Sequence, residues 1–233
     1  VAGVPSPVTG TANTNVSASI TGLATSTTYH YRVNGTSSSG TSNGNDMTFL
    51  TGCPSPSITG PLSVCVGNSG IVYSTETGMS GYVWTVSAGG TITAGAGTNA
   101  ITVTWSTTGT KTITVNYTPV GSCPITSPTS YSVTVNPLPV VTVAGPATVC
   151  QYSSATYTTQ PGMTNYNWSL SSGGTITAGG TSTSNTVTVT WNGSGAQTVQ
   201  VSYTNANGCI PAAAAVYPVT VNDVPVPTIG SNN

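Results

Sequence analysis

Of the 233 residues only five carry a formal charge, Arg32, Asp46, Glu76, Lys111 and Asp223, and the net charge is −1; ordinary soluble domains carry charge on about 25% of their residues. Two cations far apart in sequence give no phosphate-neutralising field, which argues against a nucleic-acid partner, and 36% hydrophobic residues with so little charge argue against disorder. Catalysis needs ionisable groups within a few ångströms of one another, and here the three carboxylates fall in or beside three different modules while the only histidine is His30, which argues against an enzyme.

No stretch approaches the roughly 18 to 20 continuous apolar residues of a membrane span. The start, from Val1 to Pro5, has neither a basic n-region nor an apolar h-region and no initiating Met, so the chain reads as a mature or internal piece of a longer polypeptide.

Residues 1–52 form a first module. The run Ile20-Thr21-Gly22-Leu23-Ala24-Thr25-Ser26-Thr27-Thr28-Tyr29-His30-Tyr31-Arg32-Val33, followed by Gly40 and by Met47-Thr48-Phe49-Leu50-Thr51, resembles the last three strands of a fibronectin type III domain. That family has a Leu, a turn, a Thr-x-Tyr corner and an alternating strand in this order. The resemblance implies a partial sandwich, either truncated or completed by strands from another chain, because three strands with one apolar face are marginal by themselves.

From there the chain is one module written twice. The order Cys65, Trp84, Trp105, Cys123, Val-Thr-Val-Asn (133–136) recurs as Cys150, Trp168, Trp191, Cys209, Val-Thr-Val-Asn (219–222), at offsets of 84 to 86 residues. A period of that length is too long for a solenoid unit and suits a small β-sandwich with its own core. Strict alternation marks the strands: Tyr82, Trp84, Val86; Ile101, Val103, Trp105; Ile113, Val115, Tyr117; Tyr131, Val133, Val135. The second copy gives Tyr166, Trp168, Leu170; Val187, Val189, Trp191; Val199, Val201, Tyr203; Tyr217, Val219, Val221. Period two with Thr, Ser, Asn or Gln between predicts half-buried antiparallel strands, and Ile71 with Tyr73 and Ala155 with Tyr157 add one more per copy. Gly89-Gly90, Gly95 to Gly97, Gly173-Gly174 and Gly179-Gly180 read as turns. With no helical period anywhere, the expectation is an all-β chain of tandem Ig-like antiparallel sandwiches, six or seven short strands each.

In each copy one cysteine precedes the first core strand and another follows the last hairpin, 58 residues on in the first copy and 59 in the second. The matched positions predict two bridges, Cys65 with Cys123 and Cys150 with Cys209, and an oxidising compartment. Each would be worth about 4 kcal/mol on the chain-entropy model. Four buried free thiols are the alternative. Zinc is disfavoured, because no CxxC-type spacing or nearby histidine accompanies these cysteines. Cys53, just before the first copy and without a counterpart, reads either as an intermolecular or externally paired cysteine or as an inconsequential free thiol.

The tryptophans share their strand face with Tyr, Val or Leu, which places them in the core; an aromatic that stacks on sugar would lie off this pattern, and Tyr152, in the loop after Cys150, is the one fair candidate. Prolines set the boundaries: a first copy over 53–139, a second over 140–226, and over 227–233 a linker or the start of a further copy, since Pro227-Thr228-Ile229-Gly230 matches the lead-in to each repeat. Short X-Pro linkers are extended and stiff, so the sandwiches are expected to form an elongated rod.

The repeats resemble PKD-like domains of the kind repeated in giant cell-surface proteins of gliding bacteria that use the type IX secretion route. The resemblance rests on Gly60, Cys65 and Gly67, on Tyr82-Val83-Trp84, on Ile101 to Trp105, on Cys123 and on Tyr131 to Val135, with Trp168 and Trp191 in the second copy; Gln151 and Tyr152 replace Val66 and Gly67 there. It implies an extracellular, cell-surface location. The acidic Asp-Phe-Gly-Asp-Gly stretch of the PKD signature is absent from both copies, and with it the acidic cluster that calcium needs. No cofactor or metal is expected. The leading expectation is a non-catalytic structural segment of a surface fibre or adhesin, whose partners are copies of itself or adjoining repeats. A near-neutral, Thr-rich surface leaves strand edges without Lys gatekeepers, which points to assembly into filaments. The alternative is an accessory module that binds polysaccharide or a solid or cell surface.

Overall fold

The structure, a computed structural model, describes residues 14–25, 27–52, 55–119 and 127–227. All its regular elements are strands. No helix among the described residues is long and apolar enough to cross a membrane.

The first segment holds β1 (Thr28–Tyr31), β2 (Asn34–Ser37), β3 (Gly40–Asn43) and β4 (Met47–Leu50). Sequence reading expects three strands on one apolar face. The structure instead forms two separate two-stranded ribbons, β1 with β4 and β2 with β3. The difference has a local cause: Gly40, at φ +126°, turns a second short hairpin within residues that read as connection. Tyr29 caps the corner as its motif implies, its hydroxyl accepting the Ala24 amide at 3.0 Å, and its ring stacks on Phe49. Tyr31, Val33, Met47, Phe49 and Leu50 nevertheless remain exposed.

In the first repeat, β5 (Ser63–Cys65), β6 (Ile71–Ser74), β7 (Ser80–Val86), β8 (Gly90–Ala94), β9 (Ala100–Trp105), β10 (Gly109–Thr118) and β11 (Thr129–Asn136) form two sheets. Their orders are β5-β11-β10-β7 and β6-β9-β8. The second repeat reproduces both with β12 (Thr148–Cys150), β13 (Ser154–Thr158), β14 (Thr164–Leu170), β15 (Gly174–Gly179), β16 (Thr186–Trp191), β17 (Gly195–Thr204) and β18 (Ala215–Asn222), in the orders β12-β18-β17-β14 and β13-β16-β15. The pairings are antiparallel as expected, except that the first strand of each repeat runs parallel to the last: Cys65 lies beside Asn136 and Cys150 beside Asn222.

Two strands per repeat escape the alternation rule, the short lead strand (β5, β12) and the glycine-flanked strand (β8, β15) that reads as a turn. The second glycine of each Gly-Gly pair opens a strand because it lies under a tryptophan. A Cβ at Gly90 would meet Trp105 Cζ3 at 2.5 Å, and one at Gly174 would meet Trp191 Cζ3 at 2.8 Å. The lead-in glycines act alike, Gly60 against the Tyr73 ring and Gly145 against Tyr157. Their carbonyls accept the hydroxyls of Tyr131, at 2.5 Å, and Tyr217, at 2.6 Å.

Each repeat has its own core. Trp84, Ile101, Val103, Trp105, Ile113, Val115, Val133 and Val135 are buried together in the first, and Trp168, Val187, Val189, Trp191, Val199, Val201, Val219 and Val221 in the second. Burying such a side chain is worth about 1.5–3 kcal/mol. The tryptophans point inward, as their alternation predicts. Three of their indole N–H groups are satisfied there: Trp84 Nε1 donates to the Thr98 carbonyl and Trp168 Nε1 to the Ser184 carbonyl, both at 2.9 Å, and Trp191 Nε1 to the Tyr157 hydroxyl at 3.2 Å, while Trp105 Nε1 is buried without a hydrogen-bond partner.

Candidate functional site at the repeat junction

The chemistry-bearing groups sort into charges and sulfurs, and Glu76, Lys111 and Asp46 each find their partners nearby. Glu76 ties the lead-in of the first repeat to its sheet: its carboxylate accepts the Ser57 amide and hydroxyl, the Thr75 hydroxyl and the Tyr117 hydroxyl. Burial alone would raise its pKa, but the hydrogen bonds from Ser57 and Thr75 outweigh that and lower it to about 2. Tyr117 responds in the opposite sense, pushed up to about 12 by burial and by its bond to Glu76. The second repeat does the same job without a charge. There Gln160 accepts the Thr142 amide and the Thr159 hydroxyl through Oε1 and donates to Thr142 Oγ1 through Nε2.

Lys111 follows the same pattern. Its ammonium donates to the Ala88 carbonyl and Thr107 hydroxyl, closing the loop before β8, and in the second repeat Gln197 closes the matching loop by accepting from Ser171 and Gly173. His30 and Asp46 pair at 2.7 Å across exposed side chains of the first segment, an arrangement worth little. Since glutamine replaces two of these charges without changing the architecture, their role is hydrogen bonding within the fold. No group of three or more His, Cys, Asp or Glu among the described residues could hold a metal.

The sulfurs meet where the sequence does not place them. Cys65 is bonded to Cys209, with Cα atoms 5.7 Å apart and a sequence separation of 144. The expected bridges, Cys65 with Cys123 and Cys150 with Cys209, are therefore corrected. Cys150 is a free, exposed thiol, while Cys53 and Cys123 lie outside the described residues. The physical reason is the pole each cysteine occupies. Parallel pairing puts Cys150 beside Asn222, at the end of β18. Cys209 precedes the start of that strand, and its eight residues span roughly 24 Å. Cysteines at opposite poles of one sandwich cannot bond, but the far pole of one repeat meets the near pole of the next.

Both sides of the junction are built from local sequence. At the first repeat's far pole the Asn136 carbonyl accepts the Val66 amide, and its side chain donates to Ser63 Oγ at 2.7 Å and the Val64 carbonyl at 3.3 Å. On the other side, Asn205 turns the loop that carries Cys209. Its Oδ1 accepts the amides of Asn207 and Cys209, and Gly208 supplies the left-handed residue at φ +76°. Cys209 is only 1% exposed.

The far pole of the second repeat has the same framework with different cover. The Asn222 carbonyl accepts the Gln151 amide as Asn136 does for Val66. Cys65 and Asn136 are each 8% exposed, whereas Cys150 and Asn222 are exposed. Tyr152, where the first repeat has Gly67, stands 67% exposed with φ +63°. The left-handed conformation comes from the turn: both amides donate to the carbonyl of the repeat's second tryptophan, Gly67 to Trp105 and Tyr152 to Trp191.

One other concavity is an open groove of about 210 Å³ over β7 and β10, lined by Gly81, Val83, Thr85 and Thr114 among others. Its one aromatic, Tyr117, is 2% exposed and offers no ring face for stacking.

Residues 53–133 and 136–218 both match the PKD-like domain family. The chain belongs to the PKD-like domain family. No curated protein matches it. Among solved structures it is similar to the fibronectin(III)-like modules of Clostridium thermocellum CbhA, at 11% identity over 76% of this chain and 100% of that one, TM-score 0.34. It is also similar to domains 4 and 5 of the S-layer protein SbsC, at 16% identity over 72% and 98%, TM-score 0.32. The Escherichia coli adhesin FdeC matches at 15% identity over 77% and 68%, TM-score 0.38. At such identities and scores these likenesses carry no conclusion about what the chain does.

Proposed function

We propose that this PKD-like chain is a non-catalytic structural segment of a long secreted bacterial surface fibre or adhesin. The observation that carries the reading is the disulfide from Cys65 to Cys209, which joins two sandwiches covalently across their short proline linker. A disulfide belongs to an oxidising, extracytoplasmic setting, and a clamp across a module boundary stiffens a rod and adds nothing to a catalytic centre. The use of Glu76 and Lys111 as straps that glutamine can replace supports the same reading. Export by the type IX route follows from the resemblance to surface proteins of gliding bacteria, and uncharged edge strands such as β7 and β8 favour side-by-side assembly into filaments.

Immunogold labelling of thin-sectioned source cells with antibodies against residues 53–226 tests this. Label along extended surface structures is the expected outcome; label confined to the cell interior overturns it. Filament assembly is read separately by light scattering of the purified chain, where a monomer at high concentration removes that part. A second reading, a polysaccharide- or surface-binding accessory module, is favoured by Tyr152 alone, an exposed aromatic on a polar loop. Glycan-array binding that Tyr152→Ala abolishes would establish it.

A further inference from the structure

We infer that Cys150 is the donor half of a second inter-repeat clamp, and that the far pole of the second repeat docks the near pole of another repeat of this kind carrying a cysteine at the Cys209 position. Three observations converge on it. Cys150 occupies in β12 the place that Cys65 occupies in β5, beside the last residue of the parallel partner strand. Cys65 at that place is bonded across the junction to the next repeat. The surroundings also match: Asn136 and Cys65 are covered in the first repeat, and Asn222 and Cys150, held by the same backbone bond, are uncovered in the second. The pole at which the first repeat is bonded to its successor is thus matched, strand for strand, by an exposed pole on the second repeat, with Gln151 and Tyr152 in place of Val66 and Gly67.

The occupant is a repeat and not an unrelated protein, because the cysteine at the matching place of the first repeat is already bonded to a repeat in this chain. The loop it receives has the form of Asn205 to Cys209, an Asn-closed turn that offers its thiol at the near pole. Bond formation takes the Cys150 thiol and the incoming thiol to one disulfide, with loss of two protons and two electrons. The electrons pass to the disulfide of an extracytoplasmic dithiol oxidoreductase, which leaves as its dithiol. The inference rests on the junction and not on the surface-fibre reading, so either can fail alone.

The test compares the chain of residues 1–233 with the same chain extended after Val226 by a further copy of residues 140–226. The added copy carries Ile210→Val as a mass marker and Cys150→Ser. Both are oxidised with a disulfide carrier protein, alkylated with N-ethylmaleimide without reduction, and mapped by mass spectrometry. In the shorter chain Cys150 is expected to be fully alkylated. In the extended chain it is expected to be protected and linked to the marked peptide of the added copy. Equal alkylation of Cys150 in both, or its linkage to any other cysteine, overturns the inference. As a measurement independent of the added copy's folding, protein alkylated on source cells before extraction should show Cys150 blocked and released by reductant; a free Cys150 there overturns it equally.

Discussion

Gly90 lies directly against Trp105: a Cβ at position 90 would stand 2.5 Å from Cζ3 of a ring with no exposed surface. The ring is held on all sides by the core and cannot yield as a flexible side-chain end would. Gly90→Ala is therefore expected to destabilise the first repeat by about 2 kcal/mol, the scale of overpacking in a dense core. Urea denaturation followed by tryptophan fluorescence reads it. Gly97→Ala, where the added Cβ meets nothing, is the control; equal effects at both positions would mean that the ring contact is not the cause.

The Glu76 strap makes the first repeat acid-sensitive in a way that the second is not. Its carboxyl titrates at about 2 in the folded chain against an ordinary 4.5. A depressed folded value means that the stabilisation is complete above the ordinary value and is lost as pH falls from there towards 2. Glu76→Gln copies the second repeat, where Gln160 holds the same lead-in. The variant is expected to match the parent at pH 7 and to lose less stability between pH 5 and pH 2.5. If urea midpoints of the two fall in parallel over that range, Glu76 is not the acid-labile group.

The strands carrying Trp84, Trp105, Val115 and Val133 were legible because alternate burial writes period two into the sequence. β8 and β15 were not, since glycines that serve a tryptophan face look the same in sequence as glycines that serve a turn. The cysteines show a deeper limit. Two copies with matched cysteines are compatible with pairing inside each copy or across the boundary, and the choice depends on which pole each thiol occupies. That in turn depends on the parallel pairing of β5 with β11, a non-local contact that no local pattern announces. The exposure of Tyr152 was legible from its loop position. Its left-handed backbone was signalled only by the Gly67 at the matching place in the other copy.

A bulky residue at φ +63° is strained wherever it occurs, by about 1–3 kcal/mol. Tyr152→Gly restores the residue type that the first repeat uses at φ +82°. Thermal unfolding is expected to show the second repeat stabilised by about 1 kcal/mol, the lower end of that strain, since glycine also loses more freedom on folding. An unchanged or lowered melting temperature would show that the exposed ring makes compensating contacts. A stabilised variant would mean that tyrosine is kept at this pole for something other than folding.

The clamp between repeats also changes how the chain bears tension. Force entering ahead of Cys65 passes through the disulfide to Cys209 and leaves towards the C-terminus, so the stretch between them, a sequence separation of 144, is bypassed. The bypassed stretch contains β6 to β17, nearly all of both cores. Pulled from its two ends in an atomic force microscope, the oxidised chain should extend only through its outer segments, because the protected stretch withholds about 500 Å of contour length. A dithiol reductant should release that length once the bond is cut. Bridges inside each repeat would instead release two separate steps of about 200 Å each. The single large step is thus the mechanical signature of a bond across the junction, and two smaller ones would show that the repeats are locked individually and bear load one at a time.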